Sequence, residues 1–138
     1  MHEVNNLIKA YQNTHYIVHD GPKDFVLRVS INSLELKALY ANHNAKMAAY
    51  ISAFNPYSQI TSPELNTQAH TELKTICTNR NYIIYEGDGT DPCNLWKPEK
   101  SLLLVGISFS EACDLGMYFQ QNAILFAGET PTPRLILL

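Results

Sequence analysis

Apolar and polar positions alternate along this chain with two different periods, and the changes between them predict its elements. Val4, Leu7 and Tyr11 recur at helical spacing until Asn13-Thr14, which predicts an amphipathic first helix. Tyr16-Ile17-Val18 and Phe25-Val26-Leu27-Arg28-Val29 flank the turn-forming Asp20-Gly21-Pro22-Lys23, the pattern of an antiparallel hairpin. Asn32 with Glu35 reads as a capping box opening a second helix that runs to about Asn42. Ala48 to Phe54 is a short, nearly all-apolar strand that stops at Asn55-Pro56. Ser62-Pro63-Glu64 supplies an N-cap, a proline at the first helical position and an acid favourable to the helix dipole, so a third helix starts there with a stripe of Leu65, Ala69, Leu73 and Ile76.

The second half repeats the alternation. Tyr82-Ile83-Ile84-Tyr85 is a β-branched and aromatic strand, followed by a polar loop from Glu86 to Lys100. Ser101 to Ile107 is a buried strand, and Ser108 with Glu111 caps a short fourth helix carrying Ala112, Leu115 and Met117 to Phe119. Ala123 to Ala127 and Leu135 to Leu138 form a closing hairpin around Gly128 to Pro133. Hairpins at both ends of a strand-helix-strand middle predict an α/β (α+β) fold: a single mixed β-sheet of five to seven strands with about four helices packed on it.

Composition narrows the function classes. At 138 residues, the chain has room for one domain, spanning 1–138, and 46% hydrophobic against 17% charged residues is the balance of a packed globule. A net charge of -3 disfavours nucleic acid, which draws on a basic surplus. The first residues have no leader pattern and no stretch is long and apolar enough for a membrane span, so the cytoplasm is the expected location. Cys77, Cys93 and Cys113 are odd in number and form no CxxC pair, which argues against a disulfide framework or a cysteine-rich zinc site. His2, His15, His19, His43 and His70 show no metal spacing, and no phosphate-binding glycine loop is present, so neither metal nor cofactor is expected.

Candidate chemistry therefore rests on amides and acids. Asn55-Pro56-Tyr57-Ser58-Gln59 lies where an apolar strand opens toward a helix start, and strand ends of that kind collect ligands, although Asn and Ser also serve turns. Asn66 falls inside the apolar arc of the third helix, so its amide must find a partner: main chain, side chain or ligand. The run from Glu86 to Glu99 invites a calcium-loop reading, but with Asp88 at the first position Cys93 stands where the loop needs glycine. Glu86 and Glu99 remain the candidate general acid and base. Trp96, the one tryptophan, either plugs the edge of the core or stacks on a flat ligand. Gly106-Ile107-Ser108-Phe109-Ser110 misses the nucleophile elbow by its last residue, and Ser108 is read as a helix cap. In Phe119-Gln120-Gln121-Asn122-Ala123, Asn122 can end the helix in the left-handed conformation, while Gln121 is free to reach the rim near Asn55.

Ser52-Ala53-Phe54-Asn55-Pro56, Glu64-Leu65-Asn66, Trp96-Lys97-Pro98-Glu99-Lys100-Ser101-Leu102-Leu103, Gly106 and Phe119-Gln120-Gln121-Asn122-Ala123 together resemble the DUF3293 family, small bacterial proteins of no assigned function. The resemblance runs from about Tyr16 to the leucine-rich terminus; in the family an aromatic residue, usually Trp, precedes the Asn-Pro pair, where Phe54 stands here. It implies one polar pocket assembled from several strand ends. The expected function is binding of a small polar molecule by Asn55, Ser58, Asn66, Trp96, Gln121 and Asn122, with Glu99 or Glu86 as the catalytic group if a reaction occurs. Whether the domain is an enzyme stays open. The alternative is a protein-interaction or regulatory module that presents the Glu86 to Glu99 loop and Trp96 to a protein partner.

Overall fold

The computed structural model of the chain describes residues 2–138, with side chains from residue 5 onward. Val4 of the expected first stripe therefore lies outside the described side chains. The elements are α1 (His2–Asn13), β1 (His15–Asp20), β2 (Lys23–Leu27), α2 (Leu34–His43), β3 (Ala48–Ser52), a 3-10 turn at Pro56–Ser58, α3 (Pro63–Asn79), β4 (Ile83–Thr90), β5 (Glu99–Val105), α4 (Phe109–Tyr118), β6 (Ala123–Ala127) and β7 (Arg134–Leu137). The seven strands form one sheet in the order β2-β1-β4-β5-β3-β6-β7. The α/β (α+β) class, one sheet with four helices on it, is thus the fold observed.

The sheet is antiparallel where a mixed one was expected. The strand-helix-strand units through α3 and α4 do place parallel strands in one sheet, but each pair is split by a third strand. β5 inserts between β3 and β4, and β3 inserts between β5 and β6, so each ladder joins opposite directions. Both end hairpins form: Gly21, at φ 62°, takes the first of the two positions between β1 and β2, and β7 pairs along β6.

Helices cover the sheet on both faces. Leu36, Leu39 and Tyr40 of α2 pack on Val18, Leu27, Ala48, Leu103, Val105 and Ala127. Across the sheet, Leu73 and Cys77 of α3 and Ala112, Leu115 and Phe119 of α4 cover Ala49, Ile51, Leu102, Leu104 and Ile124. The α2 cap is Ser33 rather than Asn32: its hydroxyl accepts from the Leu36 N–H at 3.0 Å. Ser62 and Ser108 cap α3 and α4 as their sequences indicate.

The molecule departs from its sequence pattern in two places that border the candidate site. The buried stripe of α3 is Asn66, His70, Leu73 and Cys77, and Leu65 is left 57% exposed. The helix is turned about one residue from its apolar arc, because the Asn66 amide is held by the segment beneath it. Further along, β4 continues through Thr90 and β5 begins at Glu99, reducing the expected Glu86 to Lys100 loop to 91–98. Gly87 is a poor strand former that this strand requires, since a Cβ there would stand 2.3 Å from the Ile17 carbonyl and 2.7 Å from the Tyr50 hydroxyl.

Candidate functional site

The face that α2 covers is only partly filled by it. Beyond Leu103 and Leu125 the strand ends turn small and polar. Tyr16, Gly89 and Glu99 lie in one row across β1, β4 and β5, and Gly87, Ser101 and Ser52 lie in the next across β4, β5 and β3. A cavity of about 340 Å³ opens over these rows. Leu7, Ala10 and Tyr11 of α1 roof it, and Trp96, Phe54, Asn55, Ser58, Ile60 and Gln121 close its sides.

One wall is a strained segment. Asn55, Tyr57 and Ser58 hold φ of 47°, 53° and 60°, left-handed values that cost of order 1–3 kcal/mol each for residues other than glycine and persist only where surroundings enforce them. The surroundings are amides. The Asn55 N–H donates to Asn66 Oδ1 at 2.8 Å, and Asn66 Nδ2 donates back to Asn55 Oδ1 at 2.9 Å. The Thr61 N–H adds a third bond, to Asn55 Oδ1 at 3.1 Å. From the α4–β6 turn, the Gln120 carbonyl accepts from the Tyr57 N–H at 2.7 Å, and Asn122 Nδ2 donates to Ser58 Oγ at 2.8 Å. Gln121 Nε2 donates to the Phe54 carbonyl at 3.0 Å. Residues far apart in sequence thus clamp one loop in one shape.

Electrostatics single out Glu99. Burial pushes its carboxyl up to about 7, with a hydrogen bond from the Asn55 side chain pulling the other way. Among the described residues no Lys, Arg or His lines the cavity. Burial likewise raises the Tyr11 phenol, against a hydrogen bond with Ser58, and raises Tyr16.

The structure brings Asn55, Ser58, Trp96, Glu99 and Gln121 to the one cavity wall. Asn66, Asn122 and Glu86 are not on it. Asn66, 7% exposed, has both ends of its amide taken by Asn55. Asn122 stands behind Ser58, and the left-handed residue that ends α4 is Gln120, φ 57°, not Asn122. Glu86 pairs in register with Leu102 and so faces α3, where it meets His70 at 3.1 Å and Lys74 at 3.4 Å. Burial opposes its charge, but His70 and Lys74 outweigh that and lower its pKa. Lying on opposite faces of the sheet, Glu86 and Glu99 cannot share a substrate. The other loop acids have local duties: Asp88 bonds His19 at 2.7 Å, and Asp91 accepts from the Cys93 and Leu95 N–H groups.

Tyr11, Tyr16, Tyr50, Ser52 and Ser101 also line the cavity, although sequence reasoning does not single them out. A period of two would have found the strand residues: Tyr50 and Ser52, Leu103, Ser101 and Glu99 each share a face. Tyr11 carries no such signal, since a helix stripe reads as core.

A family model described as "Protein of unknown function (DUF3293)" matches residues 51–124, more than half of the 138. The chain belongs to the DUF3293 family. The matched stretch of this DUF3293 chain holds the whole amide clamp, Trp96 and Glu99, and leaves α1, the roof, outside it. No curated protein and no solved structure matches the chain. Among the described residues no helix is long and apolar enough to cross a membrane.

Proposed function

We propose that the cavity beneath α1 binds a small organic molecule and that Glu99 is its acid–base group. What carries the reading is convergence: α1, the 55–58 segment, Trp96 and the first residue of β5 surround one void of about 340 Å³, within the range of small-molecule sites. Backbone strain concentrated at Asn55, Tyr57 and Ser58 supports it, because such strain gathers at ligand sites. A carboxyl titrating near 7 can give or take a proton at neutral pH, which suits general acid–base work. Trp96 lines the cavity, and this favours a ligand over the protein-interaction reading, for which the ring would have to stand free on the 91–98 loop. The setting we infer is the bacterial cytoplasm, with neither cofactor nor metal required.

A thermal-shift screen of metabolites tests the proposal. A ligand of the native state raises stability by about 2.7 kcal/mol at a hundredfold excess over Kd. The expected hit shifts the wild-type transition and not that of Glu99→Gln or Asn55→Ala. A broad panel with no shift that depends on these side chains would refute the site.

A further inference from the structure

We propose that the ligand of this cavity is a small organic cation, a protonated amine or quaternary ammonium group seated between Glu99 and the aromatic walls. This rests on the cavity being a ligand site, and it concerns only what the walls select.

Hydrogen bonds of the wall run outward, away from the void. Thr14, Tyr16, Tyr50, Ser52 and Ser101 each line the cavity and each donate their hydroxyl proton to a main-chain carbonyl: Ala10, Tyr11, Ile17, Lys100 and Glu99 in turn, at 2.6 to 3.1 Å. The Gln121 amide nitrogen does the same, toward Phe54 and Phe119. The donors of these five hydroxyls and of Gln121 are therefore occupied, while the Glu99 carboxylate, which takes one hydrogen bond from Asn55, and the Gln121 amide oxygen keep acceptor capacity. Such a wall suits a guest that donates, and a protonated amine only donates. It suits an anion poorly, having no cationic side chain among the described residues and a buried carboxyl in its floor.

Ring surface adds a second attraction for positive charge. Tyr11, Tyr16, Tyr50, Phe54 and Trp96 line the same void, and Tyr16 meets Tyr50 edge-on with centroids 5.3 Å apart. With the Tyr16 and Tyr50 hydroxyls engaged elsewhere, these residues present aromatic surface. Desolvated aromatic faces attract cations through the ring quadrupole, Trp most strongly.

Proton release accompanies binding of such a guest. Burial leaves the empty-site Glu99 partly protonated at neutral pH. A cation stabilises the carboxylate, so binding expels the proton and tightens as pH rises. Among the described residues the titratable groups facing Glu99 are the Tyr11 and Tyr16 phenols, both raised and silent in this range.

Titration calorimetry with phenethylamine and choline, against uncharged phenethyl alcohol and anionic phenylpropionate, distinguishes the outcomes. The expected result is that an amine binds about tenfold more tightly at about pH 8 than at about pH 6, that phenethyl alcohol binds at least tenfold more weakly, and that Glu99→Gln abolishes amine binding at both pH values. Trp96→Leu should weaken the amine several-fold with the pH dependence retained. If phenethyl alcohol or phenylpropionate binds as tightly as the amine, the cation assignment falls while the cavity remains a ligand site. Failure of both amines, with a metabolite hit that Glu99→Gln abolishes, also overturns only the cation. Failure of both amines together with an empty metabolite screen would overturn the site itself.

Discussion

Glu99 sits at the cavity floor, where burial outweighs the hydrogen bond from Asn55 and raises its pKa from 4.5 to about 7. A carboxyl raised in the folded state favours folding fully below its unfolded pKa, and that contribution is lost as pH rises through the folded value. The window is therefore about pH 4.5 to 7, and by 1.36 kcal/mol per unit the ionised group costs roughly 3 kcal/mol above it. Glu99→Gln should raise stability by up to that amount at about pH 8 and leave it nearly unchanged at about pH 4, as urea unfolding at the two pH values would report. Asn66 is the opposite kind of residue. Asn66→Ala leaves the Asn55 N–H and amide oxygen short of partners beside three left-handed residues, so a loss of about 1–3 kcal/mol and a fall of several degrees in Tm are expected. A Tm unchanged by that substitution would show that the clamp is not what holds the loop.

At the scale of elements, the helices are anchored unequally. α2 is tied by Tyr40 to the carbonyls of Ala127 and Gly128, and its leucines Leu36 and Leu39 are buried. The described tertiary hydrogen bonds of α1 gather at Tyr11 in its last turn, whose carbonyl accepts from the Tyr16 hydroxyl and whose phenol bonds Ser58, and its inner residues face a void rather than packed side chains. Amides of α1 should exchange with solvent hydrogen well before those of α2, and a ligand should slow them selectively, as hydrogen exchange read by mass spectrometry would show. The pairing of β1 with β4 has its own sensitive point. Gly87→Ala places a methyl against the Ile17 carbonyl and the Tyr50 hydroxyl bonded to it, so a loss above the roughly 1–3 kcal/mol of ordinary overpacking is expected in chemical denaturation.

Over the whole molecule, the sheet separates its two acids. Glu86→Gln should leave ligand binding at the cavity unchanged within about twofold, because Glu86 faces α3, while Glu99→Gln should abolish it; equal losses on the two would contradict the placement. Much of this fold is legible in the chain itself: Ser62-Pro63-Glu64, Gly21-Pro22 and the apolar runs at 48 and 123 report local preferences, and local preferences set where strands and helices form. Site residues are legible in part, since polar groups interrupting apolar runs at Asn55, Glu99 and Gln121 are costly unless used. Asn66 is marked as buried but not by whom it is paired, and Tyr11 is indistinguishable from a core residue. Strand order, the antiparallel insertions, the extension of β4 through two glycines and the quarter-turn of α3 toward Asn66 were decided by tertiary structure alone. They depend on which chain segments meet across tens of residues, and neither helical nor strand periodicity carries information about partners at that distance.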